Sequence, residues 1–248
     1  MQSLVRTAFA LFIALALALA LALPASAQTY PARNITLVVG YAPGGTGDFV
    51  ARLVGNKLSE KYGRTVVVEN RAGASGAIAA QFVANAPPDG YTILCGQTPE
   101  IAINPHTYKG AGPALADLLG SHVDFYFPGF PAALPFVKNG QMKLLAVSTA
   151  QRAATAPDVP TVAEAAGIKD FDFSLWAGFF APRNTPKAIV AQLNGAINEV
   201  LALPDIKAKM ADAGTDIIAM SPDAFAAFIK RESEKYMRVT KEAGIKPE

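Results

Sequence analysis

Residues 35–48 read Ile-Thr-Leu-Val-Val-Gly-Tyr-Ala-Pro-Gly-Gly-Thr-Gly-Asp. The first five form a short apolar, β-branched run, the pattern of a buried strand, which Gly40 ends. A glycine-rich loop follows. From Asp48 to Tyr62, Phe49, Val50, Leu53, Val54 and Leu58 recur on one face at helical spacing. Downstream the alternation repeats. Residues 65–69 read as a second strand, and 71–76 as a second glycine-rich loop leading to a helix that ends near Ala86. Residues 87–90 (Pro-Pro-Asp-Gly) read as a turn, and 91–94 as a third strand. Strand-helix-strand-helix-strand with connections this short specifies a parallel sheet with right-handed crossovers.

From Lys109 onward the same logic gives a helix over 111–119, a strand over 123–127, a helix over 131–138 and a strand over 143–147. Thr161 caps a short helix after the loop at 157–160. Residues 173–181 read as one long strand that crosses between lobes. Thr185-Pro186 reads as an N-cap followed by proline at the first helical position. The helix behind it carries Ile189, Val190, Leu193, Ile197, Val200 and Leu201 on one stripe. Ser221-Pro222 repeats the start signal for a last helix bearing Phe225, Phe228, Ile229 and Tyr236.

Upstream lies a segment of another kind. Arg6 precedes an unbroken apolar run from Ala8 to Leu23, and Pro24 and Ala25-Ser26-Ala27 close it. A charged start, an apolar middle and a small-residue end describe a secretory signal peptide, cleaved after Ala27. The run is short for a membrane anchor and no basic stop-transfer cluster follows it. Arg6 has no arginine neighbour, which points to the general secretory route. The mature chain is expected to be exported and soluble.

Composition bounds the function. The 248 residues include one Cys and two His, carry a formal charge of +2 and are 51% hydrophobic. That composition excludes the disordered class and a disulfide scaffold. It leaves no electrostatic footprint for nucleic acid. Histidine, cysteine and carboxylates nowhere take metal-ligand spacing, and no cofactor is expected.

The strongest local chemistry is the loop Pro43-Gly44-Gly45-Thr46-Gly47-Asp48. Its glycines let backbone approach a ligand, and the helix start behind it offers N–H groups and a partial positive charge. Together these make an anion site at the carboxyl end of a parallel strand. The plainer alternative is a tight turn with Thr46 or Asp48 as N-cap. Nucleotide fingerprints fail here, because Thr46 stands where a Walker lysine belongs and Val50 where the third dinucleotide glycine belongs. In the second loop Ser75 reads as the cap of the next helix, and Arg71 either meets a ligand carboxylate or makes an ordinary ion pair. Phe127, after its strand, could face a cleft. Cys95 reads as a small core residue. A hydrolase using Ser75 or Thr46 would need His106 or His122 beside it.

Several segments together resemble one family. They are Tyr30-Pro31; Tyr41-Ala42-Pro43-Gly44-Gly45 with Asp48 and Arg52; Val66-Val67-Val68-Glu69-Asn70-Arg71-Ala72-Gly73; Pro88-Asp89-Gly90-Tyr91-Thr92; and Tyr108-Lys109-Gly110. Further on come Asp117-Leu118-Leu119-Gly120 with Val123-Asp124, Pro157-Asp158-Val159-Pro160-Thr161, Trp176-Ala177-Gly178 and Ala181-Pro182. In that order they resemble the Bug family, the extracytoplasmic solute receptors of tripartite tricarboxylate transporters. The resemblance implies an α/β, periplasmic-binding-protein-like fold of the type II, Venus-flytrap kind with parallel-rich sheets. It implies a non-enzymatic, monomeric receptor in the periplasm for a small carboxylate (a di- or tricarboxylate, an amino acid or an aromatic acid). Such a receptor delivers its ligand to the membrane subunits of a transporter. The carboxylate site maps onto Pro43, Gly44, Gly45, Thr46 and Asp48, with Arg71, Ser75 and Phe127 as further candidates.

The chain departs from the family at 104–109, where a further lobe-one strand, the crossing segment and the first strand-loop-helix of lobe two are missing. Lobe one is expected at 28–104 and 175–248, and 105–174 holds an incomplete lobe two with the crossing segment. The rival readings are an exported α/β hydrolase and a ligand-free interaction remnant.

Overall fold

The computed structural model describes residues 29–98, 101, 129–169 and 171–242. The signal segment, the junction at 104–109, the elements expected at 111–119 and 123–127, Phe127 and both histidines lie outside the described residues.

From Arg33 onward the described chain builds one four-stranded sheet, order β2-β1-β3-β4, from β1 (Ile35–Val39), β2 (Val66–Asn70), β3 (Thr92–Gln97) and β4 (Ala177–Phe180). β1 pairs in parallel with both β2 and β3, and β4 joins β3 antiparallel. β1 is central, which is why its sequence is an apolar run: Ile35, Leu37, Val38 and Val39 are fully buried. Alternation sends Leu37 to one face with Val66 and Val68, where helix α1 (Thr46–Tyr62) lays Gly55 against them. It sends Val38 to the other face with Leu94, under Ala79 and Val83 of α2 (Ala77–Ala84). The first crossover thus covers one face and the second covers the other.

The remaining helices are α3 (Phe130–Lys138), α4 (Val162–Ala166), α5 (Lys187–Ala202), α6 (Pro204–Asp212) and α7 (Pro222–Glu242). α5 buries Leu193, Ala196, Ile197 and Val200 and packs on α1. The charged pairs Lys61–Glu199 and Lys57–Asp205 fasten α1 to α5 and α6. α7 packs aromatic side chains on β4: Phe225 lies against Phe180, and Phe228 meets Trp176 edge-on at 5.6 Å.

Several expectations are corrected. The run 143–147 is not a strand. Val147 makes a single bridge to Thr161, and Ser148 bonds Phe173 on its other side, so no ladder extends along the run. The long strand expected over 173–181 shrinks to Ala177–Phe180. Before it, Thr98 takes over the pairing: its N–H donates to Trp176 O, and its hydroxyl accepts from Trp176 N and donates to Ser174 O. Strand three runs further than expected, to Gln97, which places Cys95 inside it and fully buried. Pro186 is itself the cap of α5, and the Thr185 hydroxyl bonds Pro182 O instead. α6 adds a helix that the apolar spacing does not mark, although Pro204 at its first turn and Asp205 behind it are start signals. The Thr161 cap stands, completed by Glu164 as a capping box, and the Ser221 hydroxyl accepts from Ala224 N.

Candidate functional site

The first glycine loop leaves the carboxyl end of β1, and α1 begins two residues before Asp48. Its N-cap is therefore Gly45, in extended conformation and without a side-chain cap; neither Thr46 nor Asp48 fills that role. Asp48 sits instead in the first turn and is 5% exposed. Its Oδ2 accepts from Gly44 N and Arg52 Nε, each at 3.0 Å. Its Oδ1 accepts from Asn70 Nδ2 at 3.0 Å and pairs with Arg52 Nη2 at 2.8 Å. Arg52 Nη2 also donates to Asn70 Oδ1, and Asn70 Nδ2 to Tyr41 O. Burial alone would raise the Asp48 carboxyl. Hydrogen bonds from Arg52, Gly44 and Asn70, with the Arg52 charge, outweigh it and hold the group below its ordinary range. Asp48 is thus an anionic peg that fixes the loop from inside, with its lone pairs spent on the protein. Pro43 and Gly44 are left at the surface, while Gly45 and Thr46 are buried.

The second loop comes alongside the first. The position of a Cβ on Gly40 would be 2.8 Å from Gly76 Cα, and Tyr41 Oη donates to Ser75 O at 3.0 Å. Ser75 is not the cap of α2; that position belongs to Gly76. Gly73, Ala74, Ser75 and Gly76 all have positive φ, a left-handed turn that costs strain at Ala74 and Ser75. Arg71 turns to its own surroundings. Its guanidinium pairs with Glu69 at 2.7 Å and lies 3.6 Å over the Phe82 ring, while its backbone N–H holds Val39 O. The structure thus joins Pro43, Gly44, Gly45, Thr46, Asp48 and Ser75 in one double-loop rim and engages Arg71 in a local ion pair and ring contact.

Two residues at this rim were not singled out from sequence. Gln97, at the end of β3, is buried, and a Cβ on Gly47 would be 2.7 Å from its Nε2. Asn70 links the second strand to the first loop. A lone amide at the last position of a strand carries no site signature of its own, and Asn70 enters the sequence reading only within the run 66–73. A separate open groove of about 410 Å³ is lined by Asn198, Leu201, Lys207, Thr215 and Ile217. The Lys61–Glu199 pair ties that region to the far end of α1, opposite Gly45.

Comparisons with known proteins bear on the family and the fold. The family model described as tripartite tricarboxylate transporter family receptor (TctC) matches residues 50–109 and 106–245. Protein BugT of Bordetella pertussis is 29% identical over 304 aligned positions, covering 90% of this chain and 93% of BugT. A UPF0065 protein of Pseudomonas sp. strain P51 is 28% identical over 86% of this chain and 87% of its own length. Among solved structures, R. palustris Rpa4515 with adipate superposes with TM-score 0.83 at 28% identity, over 88% of this chain and 100% of that one. The periplasmic binding protein BugD gives 0.81 at 27%, with the same coverage. MatC of Rhodopseudomonas palustris with bound malate gives 0.77 at 25%, over 85% of this chain and 99% of that one. The fold is that of periplasmic binding proteins. The BugT alignment is longer than the 248-residue chain, so the relative carries residues inside the matched region that this chain lacks. The two stretches matched by the family model meet at 106–109, at the junction noted in the sequence.

Proposed function

The chain belongs to the tripartite tricarboxylate transporter receptor family, and from that membership we propose that it is a periplasmic, non-enzymatic receptor for a small carboxylate. The observation that carries the ligand side is the start of α1. There the helix presents a glycine-capped N-terminus, with Pro43 and Gly44 at the surface and the loop fixed by Asp48, Arg52 and Asn70. Helix N-termini favour carboxylates through oriented N–H groups and the helix dipole. Asp48 holds this loop in shape, and contact with the ligand falls to Pro43, Gly44, Gly45 and Thr46.

Adipate and malate in solved relatives make a dicarboxylate the first choice of ligand, with tricarboxylates, amino acids and aromatic acids as the other classes. The membrane subunits of the cognate transporter are the partner. Residues 1–27 are the export signal, 28–104 and 175–248 the first lobe, and 105–174 the shortened second lobe. Because the shortening removes the opposing half of the pocket, affinity is expected to be lower than in full-length relatives.

The test is a thermal-shift panel of adipate, malate, a tricarboxylate, an amino acid and an aromatic acid. A rise in Tm with at least one acid is expected, since a ligand that binds only the folded state stabilises it. A folded protein whose Tm no acid moves would overturn the reading. Mass spectrometry of the exported chain is expected to find Gln28 at its N-terminus.

A further inference from the structure

Thr46 is the first residue of α1. It is 7% exposed, and its hydroxyl is buried with no hydrogen-bond partner. Gly129 comes against it, and Leu175 borders the same space. The point where a Cβ on Gly129 would sit lies 2.1 Å from Thr46 Oγ1 and 2.9 Å from Leu175 Cδ2. Gly129 is the N-cap of α3, in extended conformation and with no side-chain cap. Only a residue without a side chain fits there. Leu175 is anchored by its neighbours: Thr98 Oγ1 donates to Ser174 O at 3.3 Å, Trp176 N donates to Thr98 Oγ1 at 2.9 Å, and Thr98 N donates to Trp176 O at 3.1 Å. A buried hydroxyl with no partner is a standing cost that a ligand oxygen would remove.

We propose that Gly129 and Leu175 are affinity determinants: they cover the Thr46 hydroxyl in the free receptor, and the ligand's carboxylate displaces this cover and takes the hydroxyl as a donor. The inference rests on the reading that the start of α1 binds the carboxylate. Apparent affinity is then the intrinsic affinity scaled by the uncovered fraction. Loosening the cover tightens binding, and removing the hydroxyl weakens it.

The experiment titrates malate and adipate into the full chain and its Gly129→Ala, Leu175→Ala and Thr46→Val variants. Hydrogen exchange of residues 44–50 is followed without ligand. Gly129→Ala and Leu175→Ala are expected to bind several-fold tighter and to exchange faster over 44–50. Thr46→Val is expected to bind about tenfold more weakly. If Gly129→Ala does not fold, Leu175→Ala carries the same test, because Leu175 is 38% exposed and its truncation is mild. Folded cover variants that match the parent in affinity and exchange overturn the proposal, as does an unchanged affinity in Thr46→Val. Should neither acid bind any form, the carboxylate reading fails by itself and exchange alone decides the cover: faster exchange supports it, and unchanged exchange overturns it.

Discussion

Asp48 shows how one buried side chain can fix a loop through bonds to the loop backbone and to two neighbouring side chains. Its carboxylate takes bonds from Gly44 N, Arg52 and Asn70 in a buried setting. Asp48→Asn leaves Arg52 facing an amide, and stability at pH 7 is expected to fall by about 2–4 kcal/mol in urea melts. The pH dependence has a definite sign. The folded carboxyl is held below its ordinary 3.8, so its contribution is complete above the unfolded value and is lost as pH falls through the folded one. The gap between parent and Asp48→Asn is therefore expected to close below about pH 4. Thr46→Val, which removes an unpaired buried hydroxyl, is expected to stabilise the ligand-free protein by about 1 kcal/mol in the same melts. The glycines, Thr46 and Asp48 were legible in the sequence as one loop joining β1 to α1. Their division of labour was not, because it depends on Arg52 and Asn70 arriving from one turn and one strand away.

Among the elements, β4 and α7 illustrate packing that patterning alone does not specify. A Cβ on Gly178 would lie 2.3 Å from Phe225 Cζ, so the ring sits directly on the strand backbone. Gly178→Ala is expected to push Phe225 away from Phe180 and cost about 1–3 kcal/mol in denaturant melts. Helix α4 depends on its cap, as Thr161 Oγ1 accepts from Glu164 N while Glu164 returns a bond to Thr161 N. Thr161→Ala is expected to cost about 1 kcal/mol and to speed amide exchange over 162–166. The longer helices were legible because their apolar spacing repeats over several turns, and β1 because it is an unbroken apolar run between turn signals, whereas the nine-residue α6 was not. Residues 143–147 read as a strand, but strand-like residues become one only when a ladder forms beside them; here the pairing is one bridge at Val147, bonded to Pro160 O and Val162 N, and the two bonds between Ser148 and Phe173 lie past the run.

For the whole molecule, the decisive quantity is what the chain lacks. The family's motifs occur in order, yet the matches meet at 106–109 and the BugT alignment outruns the chain. At a concentration a hundred times its Kd, a carboxylate is expected to add about 2.7 kcal/mol of stability, read as a rise in Tm. While the order β2-β1-β3 came from the structure, the sequence by itself determined the α/β class, three parallel strands joined by helices and the glycine loop at the end of β1. Those follow from local periodicity and from short connections that leave one handedness open. Only the tertiary structure decided that Asp48 faces inward, that Arg71 is engaged by Glu69 and Phe82, that β4 enters the sheet antiparallel, and that Gly129 comes against the Thr46 hydroxyl. Each of these joins residues far apart in the chain, and their meeting is fixed by packing and charge pairing rather than by any local pattern.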